Sequence, residues 1–252
     1  MSARPAIRDG LLICSGKYHH IDFARLELLA LFQEHPHHRI RVEADYRGVE
    51  ALEATDYLVT YTCEVVPNEA ETMALERFVA AGGRWLALHG TNSALGYRKG
   101  EGWYARDAAQ PFMELVGSQF QAHPPIAPYP VHVTQPLHPL VAGIERFEAQ
   151  DELYLCDFFG EYEVLLHAEF NGETPGFVRS DWTDGAKRPV MYLKRHGEGE
   201  ILYFNLGHAR GHYDMRPLMD YYETIERGSW PKPEFQELLR RGIRWAAGEL
   251  NG

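Results

Sequence analysis

The N-terminal half of this 252-residue chain alternates short apolar runs with amphipathic stretches, and this alternation constrains the fold more than any other feature. Helical spacing of apolar residues predicts one helix over 21–34 and a second over 67–81, which begins at Pro67 and is stopped by Gly82-Gly83. Because the connections are short, we expect right-handed crossovers and a parallel sheet covered on both faces. The apolar runs predicted as its strands are 10–16, 39–44, 56–62 and 84–90.

The C-terminal half changes character, because its predicted strands are joined by glycine-rich turns instead of helices. The turn at 196–200 is typical of a hairpin, so antiparallel strands are expected here. Two helices are predicted, over 215–227 and over 233–248. No linker or repeat interrupts the pattern, which predicts a single domain over 1–252. The strands predicted in this half are 131–133, 153–155, 164–170, 189–194 and 201–205.

Charge and cysteine content exclude several classes of protein. The chain has 25 Lys and Arg against 36 Asp and Glu, a formal net charge of −11, so its surface repels phosphate backbones and anionic membranes. We therefore expect no nucleic-acid partner and no membrane partner. Cys14, Cys63 and Cys156 are too few and too scattered for a disulfide framework, and no apolar run approaches the roughly 20 residues that cross a bilayer. A cytoplasmic protein is expected.

The chain contains 13 histidines, and several of them directly follow predicted strands. In an open α/β sheet the ligand site lies outside the carboxyl ends of the strands. Side chains that follow different strands are therefore expected to meet at one edge of the sheet. The histidines in such positions are His19, His20, His89, His123 and His208.

Other polar residues and glycines lack such a context. His37 and His38 lie in a polar turn and are expected to be solvated, whereas His167 and His196 are expected on a strand face and in a turn. A serine hydrolase would need G-x-S-x-G at a strand-to-helix turn, where this chain has 88–91, Leu-His-Gly-Thr. No G-x-G-x-x-G follows a predicted strand, so no nucleotide cofactor is expected.

Six sequence blocks follow one another along the chain: Leu88-His89-Gly90, 112–120 leading to His123-Pro124, 138–144, 151–154, 199–208 and 242–248. Taken in this order, they resemble the trehalose-utilisation (ThuA-like) family over about 11–248. The resemblance implies the class-I glutamine amidotransferase-like fold. This is a flavodoxin-like three-layer α/β sandwich, with a parallel sheet N-terminally and added antiparallel strands C-terminally. It also implies that the amidotransferase cysteine is absent and that His89 lies near the vacated elbow.

The resemblance further implies sugar metabolism, of disaccharides or of 3-keto derivatives made by a partner oxidoreductase. Our first hypothesis is therefore an enzyme that hydrolyses, isomerises or eliminates a carbonyl-bearing sugar through histidines, with or without a divalent transition metal such as zinc. The expected catalytic residues are His89, His123 and His208. The expected metal ligands are His20, His89, His123 and His208. The expected substrate-binding residues are Tyr18, His19, Asn92, Asp151, Glu152 and Tyr154.

The second hypothesis is a non-catalytic sugar-binding or regulatory module on a degenerate amidotransferase scaffold. Aromatic residues would then supply stacking faces for sugar rings. An active glutamine amidotransferase is not expected, because no cysteine occupies the elbow. The stretch 210–232, rich in Tyr and Met, is interpreted as an elaboration that bears on the substrate and on whether the chain forms a homo-oligomer. The aromatic residues considered for stacking are Tyr18, Trp103, Tyr104 and Tyr213.

Overall fold

A computed structural model describes residues 6–250, apart from the side chains of Glu50 and Ala51. The single-domain prediction also includes residues 1–5 and 251–252, which lie outside the described residues. The helices are α1 Ile21–Gln33, α2 Glu69–Ala80, α3 Gln110–Val116 and α4 Pro233–Ala246, with 3-10 turns at Tyr46–Ala54, His89–Asn92 and Asp107–Ala109. The strands are β1 Arg8–Gly16, β2 His38–Glu43, β3 Tyr57–Cys63, β4 Arg84–Leu88, β5 Leu95–Arg98, β6 Gly102–Ala105, β7 Ser118–Ala122, β8 Ala127–Val133, β9 Phe147–Asp151, β10 Leu155–Phe158, β11 Glu163–Glu169, β12 Gly172–Glu173, β13 Asp181–Trp182, β14 Lys187–His196 and β15 Gly199–Phe204.

Nine of these strands form a central sheet in the order β2-β1-β3-β4-β15-β14-β11-β8-β9. The first five strands in this order are parallel to one another. The remaining four are added in antiparallel pairings. This confirms the predicted fold class, a parallel sheet extended by antiparallel strands. The predicted hairpin turn at 196–200 joins β14 to β15.

Alternation along the buried strands produces the three layers. Successive side chains of a strand point to opposite faces. In β1, Leu12 packs in the same apolar cluster as Leu28 of α1 and the buried face of α4. Leu11, one residue earlier, packs with Leu75 of α2 and with residues of α3. Helices α1 and α4 therefore cover one face of the sheet, and α2 and α3 cover the other.

The helix predicted over 215–227 is wrong. Residues 211–227, which we call the cap segment, are all described and contain turns and an isolated bridge but no helix. Pro217 lies inside the predicted helix, where it has no N–H to donate and its ring clashes with the preceding turn. The segment instead folds back on itself, since the backbone N–H of Tyr222 donates to the carbonyl of His212 and Arg210 pairs with Glu226.

Other differences concern short elements. The strand predicted over 153–155 begins only at Leu155, because residues 152–154 leave the sheet. The β5–β6 hairpin and α3 were not predicted. Helix α3 has Pro111 in its first turn and ends at Gly117, whose φ of 98° is left-handed, so both ends follow ordinary capping rules. Among residues 6–250, no helix is both long and apolar enough to cross a membrane.

Candidate functional site

Three histidines from distant parts of the chain surround one buried carboxylate. His19 follows β1, His89 follows β4, and His208 follows β15, so the parallel strands deliver all three imidazoles to one edge of the sheet. Glu152 reaches them from the segment between β9 and β10. One ligand atom from each lies within 4.8 Å of the other three. We call these four buried residues the histidine cluster.

Within the cluster, two imidazole nitrogens face each other. Nδ1 of His89 lies 2.6 Å from the carbonyl oxygen of Asn205, and Nδ1 of His19 lies 3.1 Å from that of Lys17. A carbonyl oxygen only accepts hydrogen bonds, so each Nδ1 carries a proton. In the neutral rings both Nε2 atoms then present lone pairs, and they lie only 2.8 Å apart. Such an arrangement is repulsive unless a positive charge lies between the two atoms.

Other groups point at the same space. Oε2 of Glu152 lies 3.3 Å from Nε2 of His19 and 3.6 Å from Nε2 of His89. The hydroxyl of Tyr154 lies 3.2 Å from Nε2 of His89, and its ring stacks on the same imidazole with centroids 4.5 Å apart. A carboxylate, two imidazole lone pairs and a phenol therefore converge.

His208 lies between two carboxylates. Its Nε2 donates to Oε2 of Glu226 at 2.7 Å, and its Nδ1 lies 3.3 Å from Oε1 of Glu152. Burial disfavours a charged His208, but its interactions with Glu152 and Glu226 outweigh burial and raise its pKa to about 9. Arg210 bridges the same carboxylates, 2.8 Å from Glu152 and 3.1 Å from Glu226. Glu226 was missed in the sequence because it lies in the cap segment, far from any strand end.

Two other members of the cluster have pKa values shifted downwards. Burial lowers the pKa of His19 to about 3, so this imidazole is neutral at physiological pH. Burial would raise the pKa of Glu152, but the neighbouring His208 and His123 hold it well below its usual range. Glu152 is therefore a carboxylate. The cluster therefore combines the neutral imidazole of His19 with the carboxylate of Glu152, whereas the metal-free His208 is a cation paired with Glu152 and Glu226.

A cavity of about 110 Å³ opens onto the cluster. His19, Glu152 and Tyr154 line it, whereas His89 and His208 lie behind them. His123 lines it too, with Nε2 at 3.8 Å from Oε1 of Glu152. The remaining lining residues are mostly apolar or aromatic: Tyr18, Cys63, Ser93, Leu95, Trp103, Phe120, Phe177, Arg210, Met215 and Leu218.

The structure does not bring His20, predicted as a metal ligand, to the cluster. Its ring packs against Phe23 with centroids 6.0 Å apart, and its backbone N–H donates to the carbonyl of Ala209. His19, one residue earlier, takes the place that we expected for His20. The sequence pattern located the His-His pair but left open which of the two imidazoles points inwards.

Asn92 and Asp151, predicted to bind substrate, do not line the cavity. The Asn92 amide donates to Oγ of Ser118 at 2.7 Å and is completely buried. The Asp151 carboxylate accepts from the backbone N–H groups of Gly207, His208 and Ser229, at 2.9–3.0 Å. Asp151 therefore holds in place the loop that carries His208.

Of the four aromatic residues that were expected to stack on sugar rings, two line the cavity and two do not. Tyr18 and Trp103 line the cavity and meet edge to face, with centroids 6.0 Å apart. Tyr104 packs under Arg98 instead, and Tyr213 is exposed outside the cavity.

The predicted solvation of His38 is wrong, because its side chain is fully buried.

Backbone strain is concentrated at this edge of the sheet. Tyr18, Glu64 and His89 are the non-glycine residues with positive φ in the described part of the chain, at 67°, 63° and 44°. They follow β1, β3 and β4, respectively. A left-handed conformation costs roughly 1–2 kcal/mol at a residue with a Cβ atom. Outliers of this kind cluster at functional sites, where the surrounding structure maintains them.

Comparisons with known proteins identify the family and agree on the fold. The family model described as "ThuA: Trehalose utilisation" matches residues 11–224. None of the curated proteins matches this chain. A ThuA-like protein from Bacteroides uniformis is 17% identical, with a TM-score of 0.66 over 98% of this chain and 94% of that one. Another, from Parabacteroides merdae, is 18% identical, with a TM-score of 0.61 over 98% and 92%. A β-galactosidase from Rahnella is 12% identical and matches over 96% of this chain but only 31% of its own, with a TM-score of 0.57.

Proposed function

Because the chain belongs to the ThuA (trehalose utilisation) family, we propose that it is a sugar-converting enzyme whose histidine cluster holds a divalent transition metal such as zinc. The family description supports a carbohydrate substrate. The facing Nε2 atoms of His19 and His89, 2.8 Å apart, are the observation that carries the proposal.

The donor set fits zinc if Nδ1 of His208 gives up its proton when the metal binds, because a ligating imidazole nitrogen must be deprotonated. Tetrahedral coordination at about 2.0–2.1 Å from nitrogen places neighbouring ligand atoms about 3.3 Å apart. In the cluster, the pairs formed by His19, His89, His208 and Glu152 include separations of 2.8, 3.3, 3.3 and 3.6 Å. Metal-binding histidines usually donate their other ring N–H to a carbonyl or carboxylate. Asn205, Lys17 and Glu226 supply those acceptors here.

A zinc ion held by His19, His89 and His208 would have a position free for a substrate carbonyl and would polarise it as a Lewis acid. The chain's own residues supply the proton transfer. Nδ1 of His123 donates to the carbonyl of Pro124 at 2.7 Å, so Nε2 is the ring nitrogen that can take up and release a proton at the cavity wall. The Tyr154 hydroxyl donates into the same space, and Tyr18 and Trp103 offer faces for a sugar ring.

These groups support proton removal next to a sugar ketone, the step that isomerisation and elimination share. A 3-keto glycoside is the substrate that suits this chemistry. Its ketone would be made by a sugar oxidoreductase, which is the metabolic partner we propose.

The test is to assay purified, zinc-loaded protein on glucosides and on their 3-keto forms, with zinc content measured alongside. We expect turnover of the keto form, and we expect His89→Ala to bind one equivalent of zinc fewer than wild type and to lose turnover by at least about 100-fold. His196→Ala, in the hairpin turn, is the matched control and should keep both. Equal zinc content and equal turnover in His89→Ala and wild type would contradict the proposal.

A non-catalytic sugar-binding module is the second candidate, favoured by one observation. The cavity wall is largely aromatic, and His89 and His208 lie behind it rather than in it. In that case His123→Ala would retain affinity for the sugar within a few-fold, and no keto or unmodified glucoside would be converted by wild type. If wild type converts a glucoside or its 3-keto form and His123→Ala does not, the result favours an enzyme over a binding module.

A further inference from the structure

A second group of metal-binding side chains lies at the opposite edge of the sheet. His35 follows α1, His38 begins β2, and Glu249 follows α4. One ligand atom from each lies within 4.8 Å of the other two. The amino ends of the parallel strands define this edge, whereas the histidine cluster lies at the carboxyl ends. The two groups therefore share no residue and no loop.

Hydrogen bonds account for both ring nitrogens of His38 but for neither ring nitrogen of His35. Nε2 of His38 lies 3.0 Å from Oε1 of Glu249, and its Nδ1 lies 2.9 Å from the Tyr57 hydroxyl. Nδ1 of His35 faces Oε2 of Glu249 at 3.8 Å, too far for a hydrogen bond. Its Nε2 is buried and has no partner among the described residues. His35 is thus held beside a carboxylate to which it does not hydrogen-bond.

The two imidazoles are arranged as neutral rings. They stack almost parallel, with centroids 4.7 Å apart and an interplanar angle of 17°. Two imidazolium rings would repel each other at this distance. Neutral imidazole is the form that binds metals.

We propose that His35, His38 and Glu249 form a second site for a divalent transition metal of the zinc type, independent of the histidine cluster. The two separations from Glu249, 3.0 and 3.8 Å, lie on either side of the roughly 3.3 Å expected between tetrahedral zinc ligands. The Tyr57 hydroxyl would fix the tautomer of His38 by accepting from Nδ1. The side chain of Glu249 is 33% exposed, so an ion has access from solvent.

This site would join the C-terminal end of α4 to the turn between α1 and β2. The residues it connects are more than 200 positions apart in the sequence. An ion that binds the folded chain but not the unfolded one stabilises the fold. The role of this site is therefore structural: a bound ion would stabilise the fold at the edge of the sheet opposite the cavity.

The experiment is a calorimetric titration of the metal-stripped full chain with zinc chloride. Wild type should bind one more equivalent of zinc than Glu249→Gln or His38→Ala does. His37→Ala is the matched control, since His37 is adjacent but contributes no ring atom to the group, and it should bind as wild type does. The comparison uses only the difference between variants, so it holds whether or not the histidine cluster binds zinc.

Thermal unfolding gives an independent check. Zinc should raise the unfolding temperature of wild type more than that of Glu249→Gln, a substitution at a partly exposed carboxylate that the fold tolerates. The same number of zinc equivalents in wild type and Glu249→Gln, with the same zinc-dependent rise in unfolding temperature, would overturn the proposal.

Discussion

At the scale of single residues, hydrogen bonds outside the cluster determine what each imidazole can do. Backbone carbonyls accept hydrogen bonds from Nδ1–H of His19 and His89, which fixes the tautomer and directs both Nε2 lone pairs inwards. Glu226 fixes the orientation of the His208 ring: it accepts from Nε2, and Nδ1 then faces Glu152. Outer partners of this kind are part of the site, although none of them would touch the ion.

Glu226→Gln tests this role. Glutamine can still accept from Nε2 of His208 but carries no charge, so we expect zinc affinity to fall by about 10–100-fold. Competition with a chelating dye measures the affinity directly. Glu223→Gln, in the same segment but outside the network, is the control and should not change it. An affinity of Glu226→Gln within twofold of wild type would show that Glu226 does not position His208.

The acid stability of the metal-free protein depends on His19. Burial lowers its pKa from 6.5 to about 3, so between these values the unfolded chain binds a proton that the folded chain does not. The free energy of unfolding should therefore fall as the pH drops below about 6.5. Urea unfolding in a chelator, at pH 6.5 and at pH 5, measures the fall. His19→Gln should lose less stability over this interval, and an equal loss would contradict the assignment.

At the scale of elements, the cap segment limits the cavity. Met215 and Leu218 line it, and the resulting volume of about 110 Å³ is small. Pockets for drug-sized ligands typically enclose about 300–1,000 Å³. The segment thus restricts the proposed substrate to about one ring at the site, and this restriction resides in the element for which the sequence-based prediction was wrong.

Met215→Ala should enlarge the cavity and favour larger substrates. We expect the ratio of kcat/KM for a two-ring to a one-ring keto sugar to rise by about tenfold. Met219→Ala is the matched control, because Met219 lies in the same segment, is 46% exposed and does not line the cavity. An unchanged ratio in Met215→Ala would mean that the cap segment does not select substrate size.

Helix α1 directly follows the segment that carries His19. One face of this helix packs on the sheet and the other is exposed, so substitutions on the two faces should differ in their effect on stability. Leu28 is fully buried against the sheet, whereas Leu26 is 68% exposed. Leu28→Ala should lower the free energy of unfolding by about 2–5 kcal/mol, and Leu26→Ala by less than about 0.5 kcal/mol. Chemical denaturation measures both. Similar losses in the two variants would contradict the packing of α1 described here.

At the scale of the whole molecule, the sheet could be predicted because its strands are marked by local apolar patterns. Those patterns also predicted that residues after β1, β4 and β15 would meet, which is how His19, His89 and His208 come together. Backbone turns and long-range contacts determine that His19 rather than His20 points into the cluster. They also determine that His208 hydrogen-bonds to Glu226. Local sequence patterns do not encode these, and Pro217 disrupts the helical pattern of the cap segment.

The central claim is that topology gathers three imidazoles and Glu152 into a metal site. Crystals of zinc-loaded protein, measured on both sides of the zinc absorption edge, test it most directly. The claim predicts an anomalous peak about 2.0–2.1 Å from Nε2 of His19, Nε2 of His89 and Nδ1 of His208. Zinc-saturated crystals with no peak among these three nitrogens would contradict it.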